Sequence, residues 1–382
     1  MREVSSAYWI DVKAKLHGTT TDTLEGILTD AESKGHMVTL IVYDLPNRDC
    51  KANASNGEIC CKYNEDRTCD YNYSGDCTDG INEYKTEYVD VYADILSKFD
   101  GKVDIALIIE PDSLPNLASN MGDPHCANSK QAYTEGVAYA VSTIAEKAPN
   151  AVMYLDAAHG GWLGWSDNMT AFVQVVKQYV PYEKLRGFAT NVANYQPLGE
   201  MCPWSGASDR NDYCLNGQHQ SESCCADPCK LEGQWNGCNS ELNYVQLLTK
   251  QFSAAGMDPY VVVDTGRNGV GDMRQDCAHW CNARGAGVGR LPTTETGNSS
   301  IDAYLWLKTP GESDGCTQTL PDGSACARFD SMCASVDAIG SRSGEPHAPE
   351  AGKWFDYQIK QLAENADFDG TRYLNNSEIF LQ

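Results

Sequence analysis

Basic residues are scarce in this sequence. Lys and Arg number 29 against 53 Asp and Glu, which gives a formal net charge of -24. A surface of this charge repels a phosphate backbone, so the composition argues against nucleic acid as a partner.

Long hydrophobic runs are also missing. No apolar run approaches the roughly 20 residues that a membrane-spanning helix needs, so we expect no membrane partner. The first residues, MREVSSAYWI, lack the charged and apolar segments of a signal peptide. We therefore expect that any export signal was removed before the numbering begins.

Several catalytic motifs are absent as well. The chain has no G-x-S-x-G elbow, no HExxH and no Walker loop, which argues against the enzyme classes that depend on them. No CxxC pair or histidine cluster accompanies its cysteines, and this argues against a zinc site.

Cysteine, by contrast, is abundant. Seventeen cysteines are difficult to reconcile with a reducing cytosol, so we expect a secreted, extracellular protein with disulfide bonds. Five N-x-S/T sequons permit the same interpretation: Asn53, Asn72, Asn168, Asn298 and Asn375.

Short apolar runs alternate with helical patterns along the chain. Runs of this kind bounded by turn residues read as buried strands, and they begin at Met37, Val103, Ala151, Leu185, Tyr260 and Ile301. Helices are predicted over 81–99, 128–147, 167–179, 241–255 and 349–365. The alternation predicts an α/β fold with a parallel sheet covered by helices. Six or seven strands favour a barrel over an open doubly wound sheet.

Two cysteine-rich segments interrupt this rhythm, at about 59–80 and 200–239. They read as disulfide-stapled loop insertions. No linker or repeat separates the chain into parts, so residues 1–382 are expected to form a single catalytic domain.

The strand runs end in polar residues, and carboxylates are prominent among them. The carboxyl ends of parallel strands form the active face of such folds. Glycosidic cleavage needs one carboxylic acid to protonate the leaving oxygen and a second carboxylate that activates water or attacks carbon. Carboxylates together with aromatic platforms therefore suggest sugar chemistry.

Five strings carry a more specific signal. YDLPNRDCKANASNGE, IEPDSL, YLDAAHGGWLGW, ATNVANY and WLKTPGESDG, in this order, resemble glycoside hydrolase family 6, which comprises cellobiohydrolases and endoglucanases. The resemblance runs from Trp9 to about Leu362. It implies a distorted, partly open seven-stranded parallel β/α barrel that hydrolyses β-1,4-glucan with inversion and needs no cofactor.

The resemblance also assigns catalytic roles. Asp112 in IEPDSL would be the general acid, and Asp49 in NRDC would raise its pKa and stabilise positive charge on the ring. Tyr43 would favour a distorted sugar, and Ser55 would help to hold the attacking water. The base stays open between Asp314, whose alternative role is an ion pair with Arg267, and Asp49 acting through Ser55.

The same comparison implies a set of sugar-binding residues. On the non-reducing side of the cleaved bond these are Trp9, Asp11, Trp280, Lys308 and Glu312, and Arg267 is a further candidate with no side assigned. On the leaving side they are Asp156, His159, Trp162, Trp165 and Asn194.

The cysteines divide into three groups under this resemblance. The family's two usual disulfides would join Cys50 with Cys126 and Cys281 with Cys333, while Cys316 with Cys326 would staple a loop. The four in the first insertion can pair among themselves, as can the six between Cys202 and Cys238. Cys277 is then left over, either free or linked to an insertion.

The sequence departs from the family pattern at two places. Asn47 stands where an acidic residue is usual, and the residues before Trp280 are Cys277, Ala278 and His279 rather than the usual glycine and aspartate. Both are expected to affect specificity or pH dependence rather than activity.

In the family that the sequence resembles, cellobiohydrolases cover the active cleft with long loops and endoglucanases shorten them. Under this resemblance, the length of the loop from Lys308 to Cys333 favours a processive cellobiohydrolase that releases cellobiose from the non-reducing end of cellulose. We expect the protein to be a monomer. The alternatives are an endoglucanase with an open cleft, a glucan-binding protein without turnover, and a cysteine-rich structural protein.

Overall fold

Seven parallel strands form the sheet of the computed structural model, which describes residues 4–204, 207–216, 219–231 and 236–370. The strands follow one another in chain order, β1 to β7. They are β1 Tyr8–Ile10, β2 Val38–Val42, β3 Ile105–Ile109, β4 Val152–Asp156, β5 Gly187–Thr190, β6 Tyr260–Asp264 and β7 Ile301–Leu305. This order is that of a parallel β/α barrel, and the fold prediction is confirmed.

Each of the six predicted apolar runs contains a strand, but β1 was not predicted. It has only three residues, and only Ile10 is buried. A segment of this length is too short to show a run or an alternation, because strands are usually recognised over four to eight residues.

Nine α-helices lie in the described part of the chain. They are α1 Leu24–Lys34, α2 Thr78–Glu83, α3 Asp90–Phe99, α4 Leu114–Ser119, α5 Pro124–Lys147, α6 Gly160–Leu163, α7 Ser166–Tyr179, α8 Glu241–Ala254 and α9 Asp356–Glu364. The helix predicted over 81–99 is present, but a π-helical segment, Tyr84–Val89, interrupts it between α2 and α3. The helix α1 was not predicted.

The contacts of the chain divide it into two compact units. The amino-terminal unit comprises Ala7–Ala157 and Ala171–Ala189. The carboxy-terminal unit comprises Met1–Ser6, Ala158–Thr170 and Thr190–Gln382. Whether residues 1–382 act as a single domain stays a prediction.

The sheet of the amino-terminal unit is buried deeply. Every residue of β3 is buried, and its register places Leu107 beside Leu40 and Met153 on the neighbouring strands. Burial on both faces explains why this strand reads as a continuous apolar run rather than an alternating one.

The carboxy-terminal unit contains the β6–β7 pair, whose register shifts between Val261 and Val262. One cluster of buried side chains packs in this unit, formed by Tyr195, Ala283, Ala286, Val288, Trp306 and Leu362.

The disulfides confirm most of the predicted pairing. The three bonds named above are present, and the first insertion closes on itself through Cys60–Cys69 and Cys61–Cys77. The second insertion differs from the prediction. It contains Cys202–Cys224 and Cys214–Cys225, but its six cysteines do not pair only among themselves. Cys229 bonds Cys277, which confirms the predicted alternative that Cys277 is linked to an insertion, and the buried Cys238 stays free.

The reason for this difference is spatial. A bond between residues 48 positions apart depends on tertiary contact, which cysteine spacing does not reveal. It ties the second insertion to the segment before Trp280.

No helix within the described residues is long and apolar enough to cross a membrane. The sequon at Asn375 lies outside the described residues.

The single free thiol generates a prediction. Because Cys238 is fully buried, an aromatic disulfide reagent is expected to find no reactive thiol in the folded protein and one per chain after unfolding without reductant. Thiol titration in buffer and in guanidinium measures this. Three thiols after unfolding would contradict the Cys229–Cys277 bond.

Candidate active site

Asp112 lies just beyond the carboxyl end of β3, in the amino-terminal unit, and its side chain is partly exposed. Its backbone N–H donates to Oδ2 of Asp156, which ends β4, over 3.1 Å. Burial raises the pKa of Asp112 well above its usual range, and the charges of Asp49 and Asp156 raise it further. A carboxyl group held protonated in this way is suited to donate a proton.

Asp49 is buried and is fixed by a phenol. The hydroxyl of Tyr43 donates to Oδ2 of Asp49 over 2.5 Å. A donor to a carboxylate favours its ionised form. Burial in turn raises the pKa of Tyr43, with Asp49 adding to the effect, so the phenol stays protonated and keeps donating.

Both acidic residues have backbones in the left-handed region. Asp49 and Asp112 each have φ of 57°, a conformation that costs a non-glycine residue on the order of 1–3 kcal/mol. Such strain persists only where the surroundings hold it, and it is concentrated at functional sites.

Arg48 organises the loop that carries Asp49. Its guanidinium lies 4.2 Å from the ring centre of Tyr43, donates to the backbone carbonyls of Tyr43, Asp11 and Ser55 and forms an ion pair with Asp44 at 3.5 Å. The edge of the Trp9 ring packs against Tyr43, with ring centres 5.1 Å apart. The predicted residues Trp9, Asp11, Tyr43, Asp49 and Ser55 are thus brought together around this arginine.

Glu110 is a residue to which the sequence pattern assigned no role. It is fully buried, and its carboxylate accepts the backbone N–H groups of Asp44 at 3.2 Å and Leu45 at 3.4 Å. Tyr84 donates to the same carboxylate over 2.6 Å. Burial raises the pKa of Glu110 to about 7, although these donors oppose the shift.

Tyr88 forms a second link of this kind. Its hydroxyl donates to the carbonyl of Ile10 and accepts the N–H of Tyr43 over 3.0 Å, which connects the ends of β1 and β2. Tyr84 and Tyr88 both lie on the π-helical segment. Their spacing predicted only an apolar helix face, because the partners of a buried hydroxyl cannot be read from periodicity.

Asn47, the departure from the family pattern, has a structural partner. Its side-chain oxygen accepts the N–H of Cys61 over 2.9 Å, and its backbone carbonyl accepts the hydroxyl of Tyr133. It therefore anchors the first cysteine-rich insertion to the loop after β2.

In the carboxy-terminal unit, Asp314 and Arg267 form the ion pair that was one of the two predicted possibilities. They are 2.6 Å apart, with side chains 6% and 1% exposed. Oδ2 of Asp314 also accepts the hydroxyl of Tyr195 over 2.6 Å and the N–H of Asn282 over 2.8 Å. Three donors thus occupy this carboxylate.

Asp264 joins the loops around β6 and β7. Its carboxylate accepts four backbone N–H groups, those of Ala193, Gly266, Leu307 and Lys308. Burial raises its pKa to about 6, against the effect of these donors.

Lys308 and Glu312 lie on the loop that follows. Their side chains form an ion pair at 3.1 Å, and their predicted role in sugar binding stays a prediction.

The remaining predicted residues of this unit lie on separate segments. His159 precedes α6 and is buried, and burial lowers its pKa to about 3, so the imidazole is neutral. Its ring centre is 6.2 Å from that of Trp162. Trp165 donates to the carbonyl of Gly161, and Oδ1 of Asn194 accepts the N–H of Tyr195. Trp280 is partly exposed and precedes the disulfide-bonded Cys281.

The densest cysteine cluster does not offer thiolates to a metal. The sulfur atoms of Cys202, Cys214, Cys224 and Cys225 lie within 4.8 Å of one another, but all four are in disulfides. A zinc site of this type requires deprotonated thiols.

Glycosidic cleavage uses a carboxyl group of raised pKa together with a second carboxylate, and the carboxyl ends of these parallel strands carry such acidic residues. The model of the family "Glycosyl hydrolases family 6" matches residues 1–366. The chain belongs to glycosyl hydrolase family 6.

Two fungal relatives illustrate the similarity. The chain is 37% identical to Exoglucanase 3 of Agaricus bisporus over 96% of its length and 70% of the relative's. It is 37% identical to 1,4-beta-D-glucan cellobiohydrolase CEL6C of Podospora anserina, over 96% of this chain and 78% of the relative.

Solved structures agree with this placement. The catalytic core of the cellobiohydrolase Cel6A from Chaetomium thermophilum superposes with a TM-score of 0.72 at 33% identity, covering 96% of this chain and 88% of that one. Cellobiohydrolase II (Cel6A) of Humicola insolens, solved with glucose and cellotetraose, gives a TM-score of 0.71 at 32% identity, with 95% and 88% covered.

The raised pKa of Glu110 predicts a pH dependence of stability. Since its pKa of about 7 in the folded protein exceeds the usual 4.5, the folded state binds this proton more tightly. The free energy of unfolding should therefore fall as the pH rises from 4.5 to 7, by about 3 kcal/mol from this group. Urea unfolding of the wild type and of Glu110→Gln at several pH values measures it. In the variant, the free energy of unfolding should fall less steeply between pH 4.5 and 7. Equal pH dependence in the two proteins would contradict the raised pKa of Glu110.

The buried ion pair predicts a cost in stability. Asp314→Asn removes the charge that compensates Arg267, so the free energy of unfolding should fall by about 3–5 kcal/mol. The matched control is Asp356→Asn, because the carboxylate of Asp356 pairs with Lys360 in solvent, 67% exposed, and should change stability by less than about 1 kcal/mol. Equal effects in denaturant unfolding would count against a buried pair.

Proposed function

We propose that this protein hydrolyses β-1,4-glucosidic bonds of cellulose with inversion, as a cellobiohydrolase that releases cellobiose from non-reducing ends. The observation that carries the proposal is the position of Asp112 beyond the carboxyl end of β3, where burial raises its pKa and the charges of Asp49 and Asp156 raise it further. The names of its relatives support the same activity.

In the proposed reaction, Asp112 donates its proton to the glycosidic oxygen as the bond to the anomeric carbon breaks. Positive charge then develops on the sugar ring, and the ionised carboxylate of Asp49 stabilises it. Tyr43 holds that carboxylate in place and presses on the ring. Water attacks the opposite face of the sugar, which inverts the anomeric configuration.

The attacking water must give up a proton. Asp49 acting through a water held by Ser55 is the assignment that we propose, because three donors already occupy Asp314. Asp314 is proposed to position Arg267 and Tyr195 instead.

Substrate contacts are proposed for the residues that the family pattern marks. Trp9 packs against the ring of Tyr43, and Arg48 bonds the backbone carbonyls of both Asp11 and Tyr43. These contacts support a role for Trp9 and Asp11 beside the cleaved bond. Lys308, Glu312 and Trp280 would bind sugars on the non-reducing side, and Arg267 is a further sugar-binding candidate. Asp156, His159, Trp162, Trp165 and Asn194 would hold the leaving chain.

We also propose that residues 1–382 act as one catalytic domain, that the protein is monomeric and that it works outside the cell without associating with membranes or nucleic acid. The eight disulfides support an oxidising environment, and the net charge of -24 disfavours nucleic acid.

The product profile on phosphoric-acid-swollen cellulose tests the proposed activity. The wild type should release cellobiose from the first time points, and Asp112→Ala should lower the rate by about 10²- to 10⁴-fold, since it removes the general acid. The control is Asp94→Ala, an exposed helix residue paired with Lys147, which should keep wild-type activity.

Other outcomes separate the alternatives. A spread of longer oligosaccharides would make the protein an endoglucanase with the same acid. Adsorption to cellulose with no soluble sugar from the wild type would refute hydrolysis and leave a glucan-binding protein.

A further inference from the structure

Trp354 is the one tryptophan among the exposed large hydrophobic side chains of the described residues, with 58% of its surface accessible. Burial of an indole of this size would stabilise the fold by roughly 2–3 kcal/mol. A single exposed aromatic residue is ordinary on a protein surface. The surroundings of Trp354 are what distinguish it.

The segment that carries Trp354 is held against the loop after β7 by backbone hydrogen bonds. Ser313 donates its N–H to the carbonyl of Lys353 over 2.8 Å, and Phe355 donates to the carbonyl of Gly311 over 2.7 Å. These bonds flank the antiparallel pair of Glu312 and Trp354. In a pair that bonds flank on both sides, the two side chains lie on the same face and approach closely.

Gly311 allows the indole to lie on the backbone. A Cβ atom at this position would be 2.8 Å from Cη2 and Cζ3 of the Trp354 ring, so any larger residue would push the ring away. Its φ of 102° also favours glycine. One part of the ring therefore lies against the backbone at Gly311, while more than half of the surface of Trp354 stays accessible to solvent.

The next residue fixes this arrangement. Phe355 is 4% exposed and packs in a core cluster with Ile339 and Ala348. Trp354 is consequently held on an ordered strip, with little freedom to fold away from solvent.

The cross-strand partner of Trp354 belongs to a polar pair. Glu312 accepts a hydrogen bond from Lys308 over 3.1 Å, and 29% of its side chain is exposed. A pyranose ring has an apolar face of C–H groups that stacks on an aromatic ring, and hydroxyl groups at its edge that bond to carboxylate and ammonium groups. An aromatic platform beside such a pair presents both features.

We propose that Trp354 and Glu312 form a further sugar-binding site, which takes one glucosyl unit of a β-1,4-glucan chain. This inference rests on the proposed function, since it extends the sugar contacts assigned to Lys308 and Glu312. A glucan is favoured over an apolar protein surface because Glu312, the cross-strand partner of Trp354, belongs to an ion pair with Lys308 that would need hydrogen-bonding partners when covered.

The test compares Trp354→Ala, Trp354→Phe and a matched control, Tyr260→Ala. Tyr260 is also an exposed aromatic residue, 37% accessible, but it begins β6 and so lies at the opposite end of the β6–β7 pair from the loop after β7. Adsorption to swollen cellulose in the cold gives Kd, and hydrolysis of cellotetraose gives kcat and KM. Thermal melting checks folding.

We expect Trp354→Ala to raise both Kd and KM by about 3- to 10-fold, because the variant loses one aromatic ring that stacks on the sugar. A tenfold change in Kd corresponds to roughly 1.4 kcal/mol. The kcat should stay within about twofold, because the contact is made equally in the ground and transition states. Trp354→Phe should recover most of the binding, and Tyr260→Ala should match the wild type.

Unchanged Kd and KM in Trp354→Ala would overturn the proposal, and so would a loss of kcat accompanied by a lower melting temperature, which indicates a structural role. A different result would show that the proposed hydrolytic function itself is wrong. In that case the wild type adsorbs to cellulose and releases no sugar, and the adsorption of Trp354→Ala still decides the role of the ring.

Discussion

In both units of this protein, buried carboxylates at the carboxyl ends of strands fix the adjoining loops. They do so by accepting hydrogen bonds from backbone N–H groups. In the amino-terminal unit, Glu110 binds the chain after β2 through Asp44 and Leu45. In the carboxy-terminal unit, Asp264 binds four amides from three loops. Loops leave the sheet at these points with unpaired donors, and a buried unpaired amide costs about 1–3 kcal/mol.

This way of satisfying the loops has an electrostatic consequence. Each carboxylate is out of contact with water, so its pKa is raised even though its donors favour the charge, to about 7 for Glu110 and about 6 for Asp264. At these two groups the folded protein binds protons that the unfolded chain releases, so their contribution to stability falls as the pH rises through their folded pKa values. The same desolvation supplies the raised pKa that an acid catalyst such as Asp112 requires.

Buried carboxyl groups thus serve both function and stability, and their partners decide which. Burial raises the pKa of Asp112 and the negative charges of Asp49 and Asp156 raise it further, which suits proton donation. Asp314 lies beside Arg267 and accepts two further hydrogen bonds, which suits positioning. The family pattern made Asp112 the general acid and Asp314 one candidate for the base. The hydrogen-bond and ion-pair partners of the two aspartates differ, and these partners come from distant parts of the chain.

The sequence by itself determined the alternation of strands and helices, the family and the catalytic candidates, because each depends on local pattern or on short motifs. IEPDSL and NRDC mark Asp112 and Asp49 without any knowledge of contacts. Only the tertiary structure decided that Cys229 bonds Cys277, that Glu110 binds the loop after β2, that a π-helical segment places Tyr88 between β1 and β2, and that Trp354 lies opposite Glu312. Each of these features joins residues remote in sequence, and such pairings depend on the packing of whole elements rather than on the preferences of any one segment.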